Sequence, residues 1–159
     1  MKLFSQVNDC CKRKFIGVIL TPIASAQLRA WCRFNGFNIE KSFKGKDIKS
    51  HEFDFHVTII YTETYHDTQS GSWKIDPFDL VPIGFEMLGE NKDIPAILID
   101  PNTPGLIALR DQYKALGMKD KWPDFKPHIS LSYAGGSTDG LKLPDFKLAV
   151  NRLTIENKE

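Results

Sequence analysis

Apolar positions along the chain fall into two kinds of run, and the two kinds alternate. Residues 15–21, FIGVILT, form an unbroken apolar and β-branched stretch, as expected of a short buried strand. Thr21-Pro22 follows, with a hydroxyl at an N-cap position and proline at the first helical position. Ile23, Leu28, Trp31, Cys32 and Phe34 then recur at helical spacing, and Gly36 supplies a stop. A polar stretch carrying Lys41, Lys44, Lys46 and Lys49 leads into FDFHVTIIYT, Phe53 to Thr62, a second strand.

The same order returns downstream. PAILID, Pro95 to Asp100, reads as a strand, and Thr103-Pro104 repeats the cap-plus-proline start. Leu106, Ile107, Leu109, Tyr113 and Leu116 make the helical stripe, which ends at Gly117. FKPHISLSY, Phe125 to Tyr133, is again a strand. Two further strands are expected at 78–88, interrupted by Pro82, and at 146–156, while the polar segment 62–77 reads as a loop or an edge. The pattern predicts one α+β domain of two pseudo-symmetric lobes, at about 12–75 and 93–140, sharing the strands 78–88 and 146–156. Its two antiparallel-rich sheets would face each other across a central cleft, with the helices outside.

Composition narrows the classes. At 159 residues the chain is one domain's length and can bury a core without staples. The net charge of +1 argues against long duplex nucleic acid, which needs a strongly basic face, but leaves room for a small anionic ligand held by a few donors. No stretch approaches the ~18 consecutive apolar residues of a membrane span, and the first residues lack the apolar core of a signal peptide. Cys10, Cys11 and Cys32 are odd in number, two of them adjacent, with no zinc-ligand spacing. A reduced, cytoplasmic and monomeric protein is expected.

The chemistry lies in the histidines. His51 and His66 stand in polar surroundings and are expected to face solvent. His56 and His128 stand in strands, as HVTIIY and HISLSY, sharing the order His, β-branched, hydroxyl, apolar, any residue, Tyr. Strand side chains alternate, so His56 and Thr58 share one face, and so do His128 and Ser130. A lone His-x-Thr most often marks an ordinary polar face; two copies in matching contexts do not. Tyr61 and Tyr133 have the parity of the aliphatic face and read as structural.

Two histidines with two hydroxyls suit acid–base cleavage of a phosphodiester. One imidazole takes a proton, the other gives one, and the hydroxyls donate to phosphate oxygens as charge grows on them. Metal chemistry is disfavoured, because two histidines on these strands leave the coordination short.

The paired motifs His56-Val57-Thr58 and His128-Ile129-Ser130 resemble those of the two-histidine (2H) phosphoesterase superfamily. Within it, the short chain, the tyrosine after each motif and the phrase DFKPHISLSY are most similar to the phage anti-CBASS phosphodiesterases. The resemblance implies a duplicated α+β fold around a cleft and catalysis by His56, Thr58, His128 and Ser130 without metal or other cofactor. It also implies cyclic di- or trinucleotide substrates, such as cyclic GMP-AMP, cut at a 3′-5′ bond in the host cytoplasm. A 2′,3′-cyclic phosphodiesterase acting on RNA ends, or a binding protein that sequesters the messenger uncut, are the alternatives.

For substrate binding, Trp73 is a candidate stacking surface in its polar segment, and Trp122 stands six residues before His128. Glu156 is a candidate to hold a base edge, because a late acidic residue does so in the related phage enzymes. The Lys41–Lys49 cluster is either a solvated loop or an attractor for an anionic ligand.

Overall fold

The computed structural model describes residues 13–63 and 68–158, so His66, Cys10 and Cys11 lie outside the described residues. The order is β1 (Arg13–Leu20), α1 (Pro22–Phe34), β2 (His56–Thr62), β3 (Gly71–Leu80), β4 (Pro82–Leu88), β5 (Ile94–Ile99), α2 (Pro104–Ala115), β6 (His128–Ser130) and β7 (Leu148–Lys158). All pairings are antiparallel. One sheet has the strand order β2-β1-β7-β3 and the other β4-β5-β6. The fold is α+β, as the alternation of runs predicts.

The first helix begins as its sequence specifies. The Thr21 hydroxyl accepts a hydrogen bond from Ala24 N at 3.1 Å, and Gly36 takes the left-handed φ of 79° that ends it. Its stripe is rotated from the expected one: Ala24, Leu28 and Cys32 are buried, whereas Ile23 and Phe34 are exposed. In the second helix Thr103 does not cap; its hydroxyl donates instead to Asp100 O at 2.7 Å. Leu106 and Tyr113 are buried there as expected, Leu116 is exposed, and Arg110 is buried.

The segment 62–77, read as a loop or an edge, contains most of an edge strand: 71–80 forms β3, the outer strand of the larger sheet. Most of its side chains are exposed, so it shows no alternation for a sequence pattern to reveal. The segment 78–88 is not one strand: β3 ends at Leu80, β4 starts at Pro82, and the two belong to different sheets. Pro82 has no N–H for a continuous ladder, which suits the break.

The core lies between helices and sheets. Ile16, Val18, Val57, Ile59, Leu153 and Ile155 supply the larger sheet's share, and Ile97, Ile99 and Ile129 the smaller one's. Cys32 sits within this core, and burial pushes its thiol up to about 12, which leaves it protonated and inert. No helix among the described residues is long and apolar enough to cross a membrane.

The sheets meet along β2 and β6, the strands that carry the histidines. A bulge interrupts the β1–β2 register between Ile16 and Gly17. There the Ile59 carbonyl accepts from Arg110 Nη1 of α2 at 2.7 Å, and Tyr61 N donates to Asp120 Oδ1 at 3.3 Å. Arg110 and Asp120 pair with each other while buried, and Lys121 N donates to Tyr61 O at 2.7 Å. The outer edge of β2 is thereby tied to the connection that leads into β6.

Candidate active site

Register fixes which side chains share a face. His56 stands opposite Ile19, and Thr58 opposite Gly17, while Arg152, Thr154 and Glu156 of β7 stand opposite Ile19, Gly17 and Phe15. The other face carries Val57, Val18 and Leu153, all buried. In the smaller sheet His128 stands opposite Leu98 and Ser130 opposite Ala96, while Ile129 stands opposite Ile97 in the core. Each hydroxyl therefore shares a face with its histidine, as strand parity predicts.

The two histidines are held alike. His56 Nδ1 lies 3.1 Å from the carbonyl oxygen of Asp54, and His128 Nδ1 lies 2.9 Å from that of Lys126. A carbonyl only accepts, so each Nδ1 carries the proton and each Nε2 is left to exchange one. Both rings thus bond the carbonyl two residues upstream, and each is half-buried. The Phe15 ring flanks His56, and the Asp54 carboxylate stands 3.9 Å from His56 Nδ1.

Burial holds the His128 imidazole below the ordinary histidine range. The bond to the Lys126 carbonyl opposes that shift. Charge on His56 and on Lys126 lowers it further, and Glu86 raises it. His56 therefore stands close enough for its charge to bear on His128. Glu86, opposite Ala96 on the His128 face, pairs with Lys126.

Tyr133 belongs to this neighbourhood although strand parity assigns it elsewhere. β6 ends at Ser130, and the chain beyond it brings the phenol beside the Ser130 hydroxyl. Its ring stacks on Phe53 at 5.5 Å and meets Phe43 edge-on at 5.5 Å. Burial pushes the phenol above the ordinary tyrosine range, Ser130 offsets part of this, and the Asp54 charge adds to it. Tyr61 is likewise displaced from its expected face, because the bulge sets it opposite Phe15.

The remaining candidates are dispersed. Glu156 is exposed, on the same face as His56 and Thr58. Trp73 stands opposite Leu153, on the face away from the histidines, with its ring over Gly71. Trp122 is exposed beyond the Asp120 turn, with Lys121 Nζ 5.0 Å from its ring centre. Among the described residues no group of three His, Cys, Asp or Glu side chains could hold a metal ion.

A family model described as Anti-CBASS protein Acb1 matches residues 23–159 of the chain. Among solved structures, the fold is similar to that of E. coli LigT complexed with 3′-AMP, with a TM-score of 0.53 at 15% identity, covering 90% of this chain and 86% of that one. It is similar also to a crystal structure of a phosphoesterase, with a TM-score of 0.53 at 16% identity over the same shares of the two chains. At such identities the likeness is one of fold.

Proposed function

The chain belongs to the anti-CBASS protein Acb1 family, and from that membership we propose that it is a phosphodiesterase that cleaves 3′-5′ bonds of cyclic di- and trinucleotide messengers. The observation that carries this reading is the matched pair of imidazoles, each with Nδ1 tied to the carbonyl two residues upstream. Two such groups on adjoining strands suit a reaction in which one proton is removed and another delivered across a single phosphate.

His128 acts as the base. Burial keeps it neutral, so its Nε2 can take the proton of the ribose 2′-OH beside the scissile phosphate. The 2′ oxygen attacks phosphorus, the bond from phosphorus to the 5′ oxygen breaks, and His56 Nε2 gives its proton to that departing oxygen. The imidazolium that His56 needs for this has the Asp54 carboxylate 3.9 Å from its Nδ1. Thr58 and Ser130 donate to the non-bridging oxygens, and the product is a linear nucleotide ending in a 2′,3′-cyclic phosphate. No cofactor takes part. The matched registers of Ile19 with His56 and Leu98 with His128 support reading the chain as two copies of one strand–helix–strand unit, one in each lobe.

Chromatography of a 3′,3′-cyclic GMP-AMP digest tests the reading. The native protein is expected to yield linear product in the presence of a strong chelator, and His56→Ala and His128→Ala each to lose most turnover while keeping the native circular dichroism. Recovery of intact cyclic GMP-AMP bound to the native protein would favour a sequestering protein. Cleavage confined to 2′,3′-cyclic mononucleotides would favour an RNA-end enzyme.

A further inference from the structure

The lysine-rich segment between α1 and β2 is a built hairpin. Ser42 N donates to Lys46 O at 2.9 Å, Gly45 N to Ser42 O at 2.9 Å, and Ile48 N to Glu40 O at 3.0 Å. Gly45 closes the turn with a φ of 79°, and Lys41 pairs with Asp47 across it. Phe43 stands near the tip and is 75% exposed, an unusual setting for a ring that ordinarily gains by burial. Its aromatic neighbour is Tyr133, at 83° between ring planes, a perpendicular contact that leaves at least one face of Phe43 open. Tyr133 in turn lies beside the Ser130 hydroxyl.

We propose that Phe43 is a stacking platform for a nucleobase of the substrate, with Lys44 and Lys46 as the cations that meet its phosphates. This rests on the reading of the site as one that cuts cyclic dinucleotides, and it names which surface holds a base. The placement suits a nucleotide, because Phe43 is one tyrosine side chain away from a hydroxyl assigned to the scissile phosphate. Lys44 and Lys46 are exposed and, unlike Lys41, form no ion pair among the described residues. A flat open ring flanked by unpaired cations is the combination that binds bases and backbone without reading sequence. Neither candidate tryptophan offers as much, since Trp73 lies on the far face of its sheet and Lys121 covers Trp122.

Steady-state kinetics with 3′,3′-cyclic GMP-AMP test it through Phe43→Ala, Phe43→Leu and Phe43→Trp. Loss of a stacked base is expected to raise KM roughly ten-fold or more in the Ala and Leu variants, with a smaller effect on kcat, while Trp keeps KM close to native. In a His56→Ala background, Phe43→Trp should add indole emission that the uncut dinucleotide quenches. Paired Lys44→Gln and Lys46→Gln changes should raise KM more at low salt than at high salt. A native KM in Phe43→Ala, in protein that still turns over, would overturn the platform and leave the activity standing. So would a loss shared equally by Ala, Leu and Trp together with a lowered melting temperature, which marks a packing role. If the native protein cuts no cyclic dinucleotide yet the indole quench persists, the platform stands and the cleavage reading fails.

Discussion

The Phe15 ring stands edge-on to the His56 imidazole, with 5.3 Å between ring centres and 87° between planes. The ring lies there because Gly17, next on the same face, has no side chain. A Cβ at that position would lie 2.6 Å from Phe15 Cζ and 3.0 Å from the Val57 carbonyl oxygen. His56 is thus held behind by the Asp54 carbonyl and at its side by Phe15.

Gly17→Ala is expected to push the Phe15 ring aside and release the imidazole. A small misplacement of a catalytic group costs up to about 100-fold, so kcat should fall roughly 10- to 100-fold with less change in KM. Phe15→Leu should follow in the same direction. Steady-state kinetics beside a thermal melt would separate this from unfolding, and native kcat in both variants would show that the ring does not position His56.

The acid limb of kcat/KM should lie below the ordinary histidine range, because burial depresses the His128 imidazole and keeps it neutral to lower pH. Glu86 favours the imidazolium, whereas His56 and Lys126 disfavour it. Glu86→Gln removes the favourable charge and strips Lys126 of its partner, so the limb should move further toward acid. A movement of the alkaline limb instead would exchange the acid and base roles of the two histidines.

Tyr133→Phe removes the phenol oxygen beside Ser130 and keeps the ring between Phe53 and Phe43. The loss of one neutral hydrogen-bonding group is about 0.5–1.5 kcal/mol, so kcat/KM should fall about two- to ten-fold with the melting temperature nearly native. In a Ser130→Ala background the same change should have no further effect, and additive losses would uncouple the two residues.

Asp120→Ala should destabilise the fold by about 3–5 kcal/mol, because it leaves the Arg110 guanidinium buried without its counter-charge and frees Tyr61 N. Urea titration reads this directly. A loss under about 1 kcal/mol would mean that the pair contributes little to holding β2 against the connection into β6.

What the amino-acid order reveals here is chemistry and local pattern. Thr21-Pro22 and Gly36 announce the first helix, and parity alone puts Thr58 beside His56 and Ser130 beside His128. Parity misplaces Tyr61, because an inserted bulge residue resets the alternation, and Tyr133, because the strand stops before reaching it. β3 reads no more definitely than as a loop or an edge for a different reason, since an edge strand solvated over most of its length has no buried face to mark it. Arg110 is buried because Asp120, ten residues on, folds back to neutralise it in the core, a pairing that no pattern of residues marks. Phe43 carries no motif, and only its distance to Tyr133 connects it with the site.

The hydrogen bonds behind the two imidazoles fix how the protein returns to its starting state. A backbone carbonyl has no proton to lend and cannot keep one, so neither ring can pass a proton through itself into the interior. In the proposed reaction His128 gains a proton and His56 loses one, and both balances would be restored through Nε2 alone. Each turnover of that reaction would then exchange its protons with water or product in the cleft, at a rate set by how freely solvent enters once product leaves.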